Sequence, residues 1–325
     1  MASAPGPTPT TPHGPALFEE PPANATAVPV LSYQELIGSL MHCKQTRHDC
    51  CLVLSHLATK LVAPVQTDVD AAVHLLRYLV ATHDIGPRLD FASAAEHGPR
   101  LFAYVDASYQ SHPGSRSHGG LKLCIGPSSG SILSRSHPVT DVDVQLSTCE
   151  AEYVMLCFVG MQVEWLRALL ASIGFPQDGP TVIFEDNQAA IGLALSPSLS
   201  RKTRHIATKF HYTKSLVAKG VIIPTYIDTL LNHADMISKA KFPSAAFHRR
   251  ALDTFNNTRA QLLTMYGFND TSPASAAAAV TAYCALAANI FGDTARGRTI
   301  DGLYGPKGPD LTAAAAYLRA STKRQ

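Results

Sequence analysis

Four acids stand where carboxylate chemistry could be assembled: Asp106 in "LFAYVDAS", Glu152 in "STCEAEYVML", Asp186 in "TVIFEDN" and Asp235 in "LLNHADMISKA". A fifth, Glu150, precedes Glu152 by two positions. Residues two apart on a helix point about 200° away from each other, so one site cannot use both. Ser147 and Glu150 fit the Ser-x-x-Glu capping box, which gives Glu150 a structural role at the helix start. Glu152 instead leads the stripe Met155, Leu156, Val159, Val163, Leu166 and Leu170, and therefore lies on the face that must pack inward. An inward carboxylate without a cation is costly, and a divalent ion held jointly with Asp106 and Asp186 removes the penalty. Taken singly, each acid also reads as a cap, a turn residue or a solvated end. Asp235 opens the last helical segment, a common place for Asp, and is weak on its own.

The elements that position these acids follow from periodicity. In "LFAYVDAS" strand alternation puts Phe102, Tyr104 and Asp106 on one face and Leu101, Ala103 and Val105 on the other. Alternation likewise groups Val182, Phe184 and Asp186, with Glu185 opposite. "RLFAYVDASY", "GGLKLCIG" and "GSILSRSH" read as an antiparallel meander ahead of the helix that starts near Ser147 and stops at Gly174. Then come a strand and helix in "GPTVIFEDNQAAIGLAL", a basic helical segment, the strand "VIIPTYI" and a helical "HADMISKA". This is a mixed α/β layout. Residues 31–95 read as a helical module, with Thr67 and Asp70 at capping-box spacing. Residues 1–30 read as a disordered Pro/Ala/Thr-rich lead, and residues 241–325 as an unassigned Ala-rich extension and tail.

Composition narrows the class without naming a partner. A chain of 325 residues that is 46% hydrophobic can build a real core. A net charge of +2 permits a nucleic-acid partner without arguing for one. Seven cysteines, odd in number and set in apolar patterns, indicate a reducing, intracellular setting, cytoplasmic or nuclear. "HCKQTRHDCC" invites zinc but lacks paired Cys-x-x-Cys spacing, so core cysteines are expected. The uncharged stretch Thr271 to Gly292 is more than half small residues and reads as a packing helix; no membrane association is expected.

The blocks "YVDAS", "LSTCEAEYVML", "FEDNQAAIGLA", "RKTRHIATKFHYTK" and "HADMISKA", in this order, resemble the ribonuclease H domain of copia-type retrotransposon polyproteins over residues 98–240. "YQELIGSLMHCKQTRHD" through "LLRYLVATHDIG" resembles the helical segment that follows the polymerase in the same polyproteins. The resemblance implies a ribonuclease H-like fold, a five-stranded mixed sheet flanked by helices. It also implies a site in which Asp106, Glu152, Asp186 and Asp235 hold two Mg²⁺ ions, with Mn²⁺ as a substitute. The function implied is an endoribonuclease that cleaves the RNA strand of RNA/DNA hybrids, as part of a polyprotein fragment whose polymerase portion is a partner. The alternative is an inactive remnant or nucleic-acid-binding module that retains the fold. Backbone contacts to the hybrid are expected from Arg116, Arg201, Lys202, Arg204, Lys209 and Lys214. His205 and His211 fit the family's "HI…H" pattern, and His233 is ranked low as a proton shuttle. Departures from the pattern are Ser108, Leu133, Ala207 and the run Asp228 to Leu231, none of them an expected metal ligand. No polymerase "YVDD", aspartic-protease, integrase-zinc or zinc-knuckle motif occurs, so those activities are not expected.

Overall fold

The computed structural model describes residues 9–83, 85–89, 99–112, 116–126, 129–139, 147–196 and 207–239. Five strands form one sheet: β1 (Leu101–His112), β2 (Arg116–Ile125), β3 (Ser131–Val139), β4 (Thr181–Glu185) and β5 (Ile222–Tyr226), in the order β3-β2-β1-β4-β5. The meander β1-β2-β3 is antiparallel, while β4 and β5 run parallel to β1. This is the ribonuclease H-like mixed sheet that the resemblance implies.

Alternation along β1 sorts its side chains as expected. Leu101, Ala103, Val105 and Ala107 join the core beneath the long helix, whereas Tyr104 packs with Val182 and Phe184 on the opposite face. The long helix α4 (Thr148–Ser172) follows α1 (Val30–Met41), α2 (Cys51–Ala58) and α3 (Gln66–Ala81) in the chain. The whole predicted stripe of α4, Met155 to Leu170, is buried against the sheet, and each such side chain contributes roughly 1.5–3 kcal/mol by leaving water. The helix ends just before Gly174, whose φ of 92° is the left-handed conformation that stops helices. Helices α5 (Gln188–Leu195) and α6 (Ala207–Ala218) add Ala190, Ala194 and Leu216 to the same core. Among the described residues α4 is long and apolar enough to cross a membrane, but half of that window is buried inside the fold, as befits a core helix.

The helices α1 to α3 cover the other side, and their core incorporates Met236 and Ile237 from the segment that carries Asp235. Cys51 Sγ also donates to Ser134 O of β3 at 3.5 Å. The module therefore shares a core with the sheet domain. At its centre lies a buried ion pair. Arg47 donates from Nε and Nη2 to Asp49 at 3.1 and 2.8 Å, and Tyr78 OH donates to Asp49 Oδ2 at 2.5 Å. Two further guanidinium hydrogens reach Thr82 O and Oγ1 at 2.9 and 2.7 Å. Asp49→Ala leaves that guanidinium buried and uncompensated, and is expected to cost roughly 3–5 kcal/mol in urea unfolding. A loss below about 1 kcal/mol would show that the pair is screened by solvent.

Three expectations change. Residues 9–29 do not form a disordered lead: Phe18 packs edge-on against His56, Leu17 joins the module core, and Ala27 bridges Val65, so the segment is tied down by burial and pairing. The cap of α3 lies two residues earlier than Thr67, because that bridge holds Val65 extended as N-cap, and Asp68 Oδ2 accepts from its amide at 2.9 Å. Asp70 instead accepts from Gln66 on the exposed face. "HADMISKA" is a single 3₁₀ turn, Asp235–Ile237, pinned by the packing of Met236 and Ile237. Residues 241–325, including the stretch from Thr271 to Gly292, lie outside the described residues.

Candidate active site

Asp106 stands in β1 directly opposite Gly120 of β2. A Cβ on Gly120 would sit 2.8 Å from Ala234 O and 2.8 Å from Ile237 Cγ1, so the missing side chain is what lets the Asp235 segment approach Asp106. Asn232 holds that segment in place by donating to Val105 O at 2.8 Å and accepting from Ala234 N at 3.1 Å. The neighbouring Gly119 makes room for Met155, one helical turn beyond Glu152, and so draws α4 onto the sheet. Gly120→Ala is expected to push the Asp235 segment off the sheet, at roughly 1–3 kcal/mol from overpacking. Thermal unfolding checks the cost, and the same variant should lose whatever activity depends on Asp235.

Three of the four candidate acids come together. Asp106, Glu152 and Asp186 each offer a carboxylate oxygen such that all three lie within 4.8 Å of one another. Asp106 and Glu152 are buried, at 1% and 3% exposure, and Asp186 is half-buried at the mouth. Asp235 stays outside this triad. It is joined to Asp106 through Lys239, whose Nζ lies 2.8 Å from Asp235 Oδ1 and 3.4 Å from Asp106 Oδ1, while Ser238 Oγ donates to Asp106 Oδ2.

A further acid joins the site that sequence reasoning placed elsewhere. Glu185 is fully buried, its Oε1 accepts from Asn187 N at 3.0 Å, and its Oε2 has no hydrogen-bond partner. Strand alternation correctly puts it opposite Phe184, but that is the face toward α4, and therefore toward Glu152. Asp186 lies past the end of β4, where alternation no longer applies. The signal available was the pair Glu-Asp at a strand end facing an inward Glu on the next-layer helix. Glu152 Oε2 likewise has no partner. Two orphaned buried carboxylate oxygens in a group of hard oxygen donors are a fit for a divalent cation.

The electrostatics follow from this crowding. Burial, then the nearby Asp235, pushes the Asp106 carboxyl up to about 7, against the pull of Lys239 and the Ser238 hydroxyl. Burial, then Glu185 and the two aspartates, raises Glu152 well above the carboxylate range, and burial raises Glu185 likewise despite the Asn187 amide. Burial alone would lower Lys239, yet Asp106 and Asp235 outweigh it and keep the ammonium protonated.

The remaining expectations divide. Ser147 caps α4, its Oγ accepting from Glu150 N at 3.3 Å, and Glu150 is buried in the first turn. Lys214 donates to Ser196 O at the end of α5, which makes it a helix C-terminal partner. Lys209 is half-buried on α6 and His211 is exposed. Arg116 opens β2, but its side chain lies outside the described residues, as do Arg201, Lys202, Arg204 and His205. His233 faces inward, stacked on Tyr104 at 4.3 Å, with its Nδ1 accepting from the buried Lys122 at 3.0 Å. Cys50 and Cys51 are buried core thiols, and burial pushes Cys51 up to about 12, so they remain protonated and poor zinc ligands.

No protein-family model matches the chain. Over 212 residues it is 27% identical to the retrovirus-related Pol polyprotein from transposon RE2 of Arabidopsis thaliana, covering 64% of this chain and 14% of that protein. It is 30% identical over 222 residues to the corresponding polyprotein from transposon TNT 1-94 of Nicotiana tabacum, covering 68% of this chain and 16% of that protein. Its homologues are thus Pol polyproteins of plant copia-type transposons, and the chain spans about a seventh of their length. Among solved structures, LC11-RNase H1 from compost aligns at 12% identity and TM-score 0.34, over 43% of this chain and 93% of that one. A prototype foamy virus protease-reverse transcriptase aligns at 13% identity and TM-score 0.31, over 66% of this chain and 27% of that one.

Proposed function

We propose that this ribonuclease H-type domain is a divalent-metal-dependent endoribonuclease that hydrolyses the RNA strand of RNA/DNA hybrids. The observation that carries the reading is the meeting of Asp106, Glu152 and Asp186 within 4.8 Å, with a buried Glu152 oxygen left unpartnered. Carboxylates so close repel one another, and a bound cation is the economical compensation. Asp106, Glu152 and Asp186 would hold Mg²⁺, or Mn²⁺ in its place, with Asp235 completing the two-ion set that the family pattern implies. A bound divalent pair supplies an activated water and charge stabilisation at the leaving 3′ oxygen.

The chain's own groups do the positioning. The Ser238 hydroxyl fixes one oxygen of Asp106, and the Asn187 amide fixes one oxygen of Glu185. Asp186 at the mouth is the acid best placed to meet a phosphate arriving from solvent. Selection of RNA over DNA would rest on 2′-hydroxyl contacts and groove shape, with no base-sequence preference.

The test is incubation of purified protein with labelled hybrid and Mg²⁺ beside Asp186→Asn. Cleavage of the RNA strand that falls at least about 100-fold in the variant is expected, more than removal of an outer-shell partner costs. Cleavage that is absent, or indifferent to the substitution, would leave the domain as a fold-retaining remnant or binding module.

A further inference from the structure

The two halves of the carboxylate cluster are neutralised unequally. On the Asp106–Asp235 side a cation is already present: Lys239 Nζ lies 2.8 Å from Asp235 and 3.4 Å from Asp106. Its ammonium is held by a short covalent tether, because Asp235 and Lys239 are four residues apart and Lys239 N also donates to Asp235 O at 3.0 Å. The Ser238 hydroxyl donates to the other oxygen of the same Asp106 carboxylate. On the Glu152–Glu185 side no ion pair is formed among the described residues, and the oxygens Glu152 Oε2 and Glu185 Oε2 are both buried without partners. Glu152 is 3% exposed and Glu185 0%, so water cannot compensate them freely.

We infer that Lys239 fills the second cation position of this site, so that the free protein takes one divalent ion, at Asp106, Glu152 and Asp186 and backed by Glu185. The inference rests on the proposed metal site and concerns its occupancy. Its physical basis is exclusion. An ammonium hydrogen-bonded to Asp235 and ion-paired with Asp106 occupies the space and the lone pairs that a second ion would need, and the two charges would repel at that range. The tether makes the lysine a local competitor at high effective concentration. Lys239 is thus a positioning residue that sets stoichiometry, acting through Asp106 and Asp235.

The measurement is Mn²⁺ binding to the full chain without nucleic acid, followed by calorimetry and by the EPR signal of free Mn²⁺, with circular dichroism to confirm folding. The wild-type chain is expected to bind one Mn²⁺. Lys239→Met and Lys239→Gln, which remove the charge, should each bind two. Asp235→Asn should keep the single ion of the wild-type chain, and Glu152→Gln should lose it. Two ions on the wild-type chain, or one ion on both folded Lys239 variants, overturns the inference while leaving the proposed nuclease untouched. No ion on the wild-type chain overturns both. If neither Lys239 variant folds, the Asp235→Asn arm decides: an unchanged single site supports the inference, and its loss sinks it.

Discussion

Glu152→Gln is expected to abolish hybrid cleavage and, in the same protein, to raise the melting temperature of the metal-free chain. The two effects share one cause. Glu152 is buried with one oxygen unpartnered, and burial and the charges of Glu185, Asp106 and Asp186 all oppose its ionisation. Glutamine keeps the volume and removes the charge, so the folded state sheds a repulsive group, while the amide can still hydrogen-bond. The gain is expected at about 1–2 kcal/mol at pH 8, the size seen when a strained functional group is relieved. The loss of cleavage should be at least about 100-fold, because a neutral amide is a far poorer partner for a hard cation. Thermal melts in a chelator and a hybrid-cleavage assay read the two sides. A variant that is less stable and fully active would mean that Glu152 is an ordinary helix residue whose carboxylate has a protein partner.

The second large effect is a pH-dependent stabilisation by Mg²⁺. Asp106 is pushed from 3.8 up to about 7. A folded-state value raised above the unfolded one means stability that is fully present below pH 3.8 and lost as the pH rises through about 7. Glu152 and Glu185 are shifted in the same direction. The metal-free fold should therefore weaken across this window as the cluster ionises, and an added divalent ion should restore what is lost. An ion at a hundred times its dissociation constant adds about 2.7 kcal/mol. At pH 8.5, above the shifted value, that full contribution is expected as a rise in melting temperature; at pH 5.5 protons occupy the ligands and the rise should nearly vanish. Equal shifts at both pH values, or a shift that persists in Asp186→Asn, would mean that the ion binds elsewhere.

Much of this site is readable from local pattern because strands and helices sort their own side chains. Period-two alternation in residues 101–107 places Asp106 in line with Tyr104, and helical spacing after Ser147 turns Glu152 inward and leaves Glu150 to the first turn; Asp106 and Glu152 are buried, and Glu150 is buried beside the Ser147 cap. Local pattern fails where an element ends. Alternation puts Glu185 on a face away from Asp186, although the strand stops between them and both acids serve the same cluster. It fails again at "HADMISKA", which reads as helical, whereas Met236 and Ile237 are drawn into the core of α1 to α3 and only one 3₁₀ turn forms.

What the sequence determined by itself was the order of elements, the inward turn of Glu152 and the family to which its blocks are similar, because each depends on short-range periodicity or on residue identity. Only the tertiary structure decided which acids meet. The gap at Gly120, the clamp of Asn232 on Val105 and the reach of Lys239 to Asp106 join residues more than a hundred positions apart, and no periodicity within one segment encodes such distances.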